Sequence, residues 1–284
     1  MSTLTSPLSP KTVRSLNAAL IYALLIAGTI IMFVPFYWTL ITSFMTASDT
    51  AKYPIVWFPT RFTLEWVIAA WRAKFALYYM NSTLVAVAVV VSNVLTSALA
   101  GYIFAKFALP AKNFLFFTIL ATLMVPYAVT IIPTYYIVTV LFHLKNTLWA
   151  MIIPALISPF GIFLMRQYCE TIPDELIDAA RIDGASEIRI FSQIILSLTG
   201  PALSALAIFH FIWIWNDFLW PLLVADSDAA RTLPVGVALF ALRRWLQTNL
   251  VVAGSLLVMV PLVIVYFIFQ RAFVEGIVLT GMKY

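Results

Sequence analysis

Six stretches of twenty or more residues carry no Asp, Glu, Lys or Arg: 15–48, 75–105, 113–144, 146–165, 190–216 and 245–270. A helix needs about 20 apolar residues to cross a hydrocarbon core about 30 Å thick, so each stretch is long enough to span a bilayer. Within lipid every backbone polar group must be paired internally, which leaves helices or a closed barrel. Barrel strands would alternate apolar and polar over about ten residues, and these stretches do not alternate. They predict six spanning helices and an all-α membrane protein. Composition agrees: 63% of the 284 residues are hydrophobic and 10% charged, against about 25% charged in soluble domains.

The net charge of +5 is spread among the connections with no Lys-rich or Arg-rich run, which suits a membrane surface and not a nucleic acid. The lone cysteine, Cys169, excludes an internal disulfide and reads as a buried small hydrophobe at a helix end. Residues 15–48 are too long a run for a signal-peptide core, so they predict an uncleaved first helix behind a polar tail containing Lys11 and Arg14. No G-x-x-x-x-G-K-[ST] sequence is present, so ATP hydrolysis would need another chain. With neither H-E-x-x-H nor paired cysteines, no metal site, catalytic residue or cofactor is expected. The six runs contain no ionisable residue besides His210 and His143, whereas ion-coupled carriers place such residues within the membrane. Energy is therefore expected from outside the membrane domain. His210 is expected to face the bundle with one hydrogen-bond partner.

Pro126 and Pro133 should kink the third run, and Pro154 and Pro159 the fourth. Lys145 alone separates those two runs, which predicts a tight hairpin there. Residues 49–74, with Trp57, Trp66 and Trp71, and 217–244, with Trp220 inside and Trp245 at its edge, carry tryptophan near helix ends, as at headgroup level. Basic residues divide nine to eight between the two faces, too evenly to orient the chain.

Residues 166–189 differ in holding six acids and three arginines. Pro173, Asp174 and Glu175 suit the first turn of a helix, Gly184 its C-terminal stop, and Ser186 with Glu187 a new start. Leu176, Ala179, Ala180 and Asp183 fall at spacings of three and four, which predicts one side with small residues for a close partner. An ordinary amphipathic loop would satisfy the same pattern.

The order Asp178-Ala179-Ala180, then Gly184, then an Ile-rich run resembles the EAA loop of ABC importer permeases. Asp178 stands in the Glu position, and Ile182, Asp183, Ala185 and Ile194 match the sugar-importer version. Ser197 replaces a proline usual in the family while Pro201 is retained, so the fifth helix is expected to start straighter. The chain is similar to MalG-type carbohydrate permeases at further places: Asn81-Ser82, Ala100-Gly101-Tyr102, Pro126 with Pro133, Trp215-Asn216-Asp217-Phe218 with Trp220-Pro221-Leu222, and Thr232-Leu233-Pro234-Val235-Gly236. Its end, Gly281-Met282-Lys283-Tyr284, departs from the commoner Gly-x-Val-Lys-Gly.

The resemblance implies a type I ABC importer permease fold with a cytoplasmic coupling helix in loop 172–201. Asp178, Ala179, Ala180, Asp183, Gly184 and Ala185 would serve ATPase coupling. It implies a tail 1–14, a first spanning helix 15–43, an extracytoplasmic loop 44–76, a five-helix permease domain 77–271 and a tail 272–284. Both tails would be cytoplasmic. Implied partners are a second permease forming a heterodimer, two copies of an ATP-binding subunit, an extracytoplasmic solute-binding protein and a sugar-class substrate. Asn93, Trp213 and Asn216 are candidates to line the pathway. A permease for a non-sugar solute, or a secondary carrier, remains an alternative.

Overall fold

The computed structural model describes residues 10–243 and 248–281, with side chains over 16–242 and 248–270. The expectations on residues 1–9, Arg244, Trp245 and the closing Met282-Lys283-Tyr284 lie outside the described residues. Four helices are each long and apolar enough to cross a bilayer: Leu16–Thr42, Glu65–Lys106, Trp149–Glu170 and Thr248–Gln270. Two helix pairs are long and apolar enough only together and are bent at a short break, Lys112–Leu123 with Tyr127–Leu141 at 96° and Glu187–Leu198 with Gly200–Asn216 at 77°. Counting each bent pair as one span, the described residues hold the six that the uncharged runs predict. The helices used below are α1 (Pro10–Thr42), α2 (Ala76–Lys106), α3 (Lys112–Leu123), α4 (Tyr127–Tyr136), α5 (Pro159–Glu170) and α6 (Asp174–Ile182). They continue with α7 (Glu187–Leu198), α8 (Gly200–Asn216), α9 (Leu233–Arg243) and α10 (Thr248–Gly281).

Proline placement decides where the bends fall. Pro126 has no N–H to return to the Thr122 carbonyl; Val125 takes that carbonyl at 3.3 Å, and the chain turns into α4 through an extended Pro126. Pro133 lies inside α4, and the helix continues through it. Pro159 opens α5, where Ser158 accepts the Gly161 amide at 3.0 Å, and Pro154 sits in a short 3-10 turn. The straighter fifth helix expected from Ser197 is not found. Pro201 removes the N–H that would reach the Ser197 carbonyl, and the 77° bend falls at Thr199. Ser197 Oγ bonds back to the Gln193 and Ile194 carbonyls at 2.7 and 2.8 Å, so it adds no straightening force.

Helix α2 runs through the bundle and packs most extensively on α5 and α8. Glycine permits the closest approach: a Cβ on Gly101 would lie 2.5 Å from Met165 Cβ, and one on Gly161 2.2 Å from Ser97 Oγ. Without a hydrophobic drive between helices in lipid, such small residues let backbones meet and dispersion hold them. By contrast, none of the apolar window of α1 is buried within this chain, and its principal contact is α10. Lipid or another subunit must cover the rest.

Residues 44–76, expected as a loop, contain the short helix Glu65–Ala70, which joins α2 through a break where Lys74 has φ 72°. The loop is pinned by Asp49, 1% exposed, which accepts from the Thr60 amide at 3.0 Å and Lys52 Nζ at 2.9 Å. At the other terminus, α10 stays helical to Gly281 through most of the expected tail 272–284.

Candidate functional site

The acidic segment folds as its local signals require. Asp174 and Glu175 occupy the first turn of α6, where the helix dipole favours negative charge. At its end Ala185 donates to the Ala180 carbonyl at 2.9 Å and Gly184 to Arg181 at 3.0 Å, with Gly184 at φ +78°. This is a Schellman stop, which needs a left-handed residue at the glycine position. Ser186 then caps the next helix by accepting the Arg189 amide.

Helix α6 presents two different sides. Ile177, 2% exposed, plugs into a cluster made by Tyr102 of α2, Met165 and Cys169 of α5, Ile190 and Ile195 of α7 and Leu206 of α8. Ala180 and Ala185 pack partly against the same cluster. Leu176, Ala179, Asp178, Asp183 and Gly184 are exposed, as is Ile182 at 87%. The expected one-sided set is therefore divided: Ala180 faces inward, and Leu176, Ala179 and Asp183 form the free side. Leu176 and Ile182 thus leave this side of α6 uncovered within the chain.

Charge clamps both ends of α6 to the bundle. Lys106, at the end of α2 and 8% exposed, donates to the Ile172 carbonyl at 2.5 Å and pairs with Asp174 at 2.6 Å. That ammonium holds the Asp174 carboxyl below the usual carboxylate range. At the other end Arg181 pairs with Glu187 at 2.7 Å and Asp178 at 3.1 Å, and Tyr102 OH donates to Glu187 at 3.1 Å. Displacement of α6 must therefore pull on α2 and α7. Sequence reading missed the roles of Lys106 and Ile177 and met Tyr102 only within Ala100-Gly101-Tyr102; a lysine ending an uncharged run gave no indication of which acid it meets.

The opposite end of the bundle gathers residues 44–74, 143–147, 217–243 and 248–249. Lys74 pairs with Asp228 and Lys145 with Asp226, both at 2.6 Å, and Thr50 donates to Asn249 at 2.8 Å. The predicted hairpin is tied here: Asn146 donates its amide to the Val224 carbonyl and accepts the Ser227 amide, both at 2.9 Å. Beside this end lies a cavity of ≈ 230 Å³ lined by Tyr127 and Thr134 of α4, Trp213 of α8, Asp217, Trp220 and Thr232, among others.

Of the residues expected at the pathway, only Trp213 lines that cavity. Asn93 is 1% exposed and bridges helices by donating to the Val89 carbonyl at 2.9 Å and the Ala155 carbonyl at 2.6 Å. Asn216 donates back to the Ile212 carbonyl at 2.8 Å within α8. Both amides hold backbone in place and do not reach the cavity. His210 departs from expectation too, since its buried Nε2 has no hydrogen-bond partner among the described residues.

Residues 97–278 match the family described as the binding-protein-dependent transport system inner membrane component. The chain belongs to this family. It is 39% identical over 206 residues to the arabinooligosaccharides transport system permease protein AraQ of Halalkalibacterium halodurans, covering 72% of this chain and 74% of that one. It is 33% identical over 271 residues to the sn-glycerol-3-phosphate transport system permease protein UgpE of Yersinia pestis, covering 90% and 94%. A solved bacterial ABC transporter chain, from a system involved in the import of the acidic polysaccharide alginate, superposes with a TM-score of 0.81. That likeness covers 94% of this chain and 100% of the other at 21% identity, and it shows the type I ABC importer permease fold.

Membership makes this a non-enzymatic, multi-pass inner-membrane component, and the structure explains two motifs that the sequence presents as separate. Asn81 donates to the Ala229 and Arg231 carbonyls, both at 2.9 Å, and Ser82 Oγ accepts the Leu233 amide at 2.8 Å. Gly236 then passes so close to Tyr78 that a Cβ would meet its ring at 2.1 Å. Asn81-Ser82 and Thr232–Gly236 of this family member are thus the two halves of one contact. Trp215 and Trp220 similarly donate their indole N–H groups to the Val258 and Ala150 carbonyls, at 2.9 and 3.0 Å.

Proposed function

We propose that this chain is one of two permease subunits of an ABC importer, working with a second, different permease and two copies of a cytoplasmic ATPase. In this reading the free side of α6 docks on the ATPase, and an extracytoplasmic binding protein delivers a carbohydrate to the other end. The observation that carries it is the division of α6: Ile177 is locked into four spanning elements while Leu176, Ala179 and Ile182 stand uncovered. A motion imposed on the free side is passed inward through Ile177, Lys106 and Glu187. Nucleotide shifts the inward and outward states only by its differential affinity for them, so the ATPase must hold α6 differently in the two. The sugar reading rests on the arabinooligosaccharide relative and on a cavity with aromatic and hydroxyl lining.

Docking on the ATPase places 172–189 in the cytoplasm, and six crossings then put both termini there, with residues 44–74 and 217–243 outside. Two measurements test this. Ala179→Trp should abolish co-purification of the ATPase subunit while the chain still inserts; undiminished binding would sink the docking role. With Cys169 replaced, a cysteine at Ala229 should be labelled by an impermeant maleimide from outside intact cells and one at Glu175 should not. The reverse pattern would invert the topology.

A further inference from the structure

We infer that the ≈ 230 Å³ cavity is a subsite for an uncharged, hydroxyl-rich unit of the transported solute, one bearing neither phosphate nor carboxylate. This rests on the permease reading and adds the charge class and the residues that select it.

Thr232 is 5% exposed, and its Oγ1 is buried with no hydrogen-bond partner among the described residues although it lines the cavity. An unpaired buried hydroxyl costs about 1–3 kcal/mol, so a turn of the Thr232 side chain towards the cavity would be repaid by a hydrogen bond to a guest. Asp217 lines the cavity with its carboxyl group at the start of the next short helix, where it accepts the Trp220 amide at 3.5 Å beside the Phe218 and Leu219 amides. An ionisable side chain at the end of a spanning helix faces a wet cavity or the bundle interior and not lipid, and this one faces the cavity. Trp213 and Tyr127, 75% and 54% exposed, bring aromatic faces to the same space. Apolar walls with a few convergent polar groups suit the C–H faces and hydroxyls of a sugar ring.

The charge preference follows from what lines the cavity. Among its described lining residues there is no Lys, Arg or His. Arg231, next to Thr232 in sequence, is turned to Asp228 and the Asp226 carbonyl and lines a different cavity. An anion would find no cationic side chain there to offset its lost hydration, which is strongly unfavourable in a partly desolvated site. The volume is below the ~300–1,000 Å³ of sites that enclose a whole drug-sized ligand, so the cavity holds a terminal unit and leaves the rest outside it.

The test uses the assembled complex of this chain with its second permease and ATPase subunits in lipid nanodiscs, without binding protein. Arabinotriose, maltotriose and xylotriose serve as neutral probes and sn-glycerol 3-phosphate as the anionic one, followed by tryptophan fluorescence. At least one neutral probe should quench saturably, the phosphate should not, and Trp213→Phe should remove the signal. Asp217→Asn and Thr232→Val should each weaken neutral binding about tenfold or more, the loss of one hydrogen bond to a charged or buried group. Because Thr232 Oγ1 has no partner, Thr232→Val should leave the Tm unchanged or higher, a split that a purely structural role would not give. The inference is overturned if no neutral probe binds, if the phosphate gives quenching that Trp213→Phe removes, or if both variants bind as the parent does. The ATPase subunit is assayed in the same preparations. Its absence would defeat the permease reading, whereas its presence beside any of those results defeats the subsite alone.

Discussion

At the scale of single residues, Gly184 and Asp228 hold the two ends of the molecule by different physics. Gly184 has open space around its Cβ position, so its requirement is conformational, set by φ +78°. Gly184→Ala should cost roughly 1–2 kcal/mol at the end of α6, because an L-residue is strained in the left-handed region. Hydrogen exchange would report it as lost protection of the Ala185 amide, which bonds the Ala180 carbonyl; unchanged protection would remove the glycine from the stop signal. Asp228 is instead an electrostatic tie. The Lys74 ammonium beside it, with Tyr78 and Arg231, holds its carboxyl down at about 2. A depressed carboxylate contributes stability that is complete above its unfolded pKa, near 3.9, and is lost as pH falls towards the folded value. Asp228→Asn should therefore lower the Tm at pH 7 and differ progressively less from the parent between pH 4 and 2. A gap that persists at pH 2 would assign the contribution to packing.

At the scale of elements, the prediction concerns transmission from α6 to α2. Lys106→Met breaks a pair that is nearly buried on the lysine side, leaving Asp174 without its cation. It should lower transport per ATP hydrolysed more than it lowers ATPase binding, and the exchange Lys106→Asp with Asp174→Lys should recover part of that ratio. Equal loss of both quantities, or no recovery, would make the pair merely a fold contact. The helix interface makes a second prediction: Gly101→Leu places side-chain atoms where Met165 already stands and should cost about 1–3 kcal/mol, read as a lower Tm. The elements themselves were legible, since uncharged runs delimit spans and Pro, Gly and Ser mark the ends of α6. Bend positions were not fully legible. Pro126 and Pro133 look alike in sequence, yet only the former falls where the preceding helix has already closed on itself. The face of α6 was misjudged at Ala180 because spacing gives periodicity without saying which side meets the bundle. Asn93 and Asn216 were candidates for the pathway or for packing, because a polar residue in an apolar run has two uses, and here both bond to backbone carbonyls.

At the scale of the molecule, the chain is a bundle with opposite demands at its two ends. One end is stitched by Lys74, Lys145, Asp226, Asp228 and Asn249 into a polar cap; the other leaves a helix with one apolar side uncovered. Helix α1 adds an exposed apolar wall along the side, which lipid or another subunit must cover. The most direct measurement of the coupling claim is a photo-crosslinking amino acid placed at Ile182, with one at Ala229 as the comparison, in the membrane-embedded assembly. Ile182 should crosslink to the ATP-binding subunit, with a yield that changes between nucleotide-free and ATP-bound states, and Ala229 should not reach that subunit at all. Crosslinks from Ile182 only to lipid, or to the ATPase equally from both positions, would contradict it.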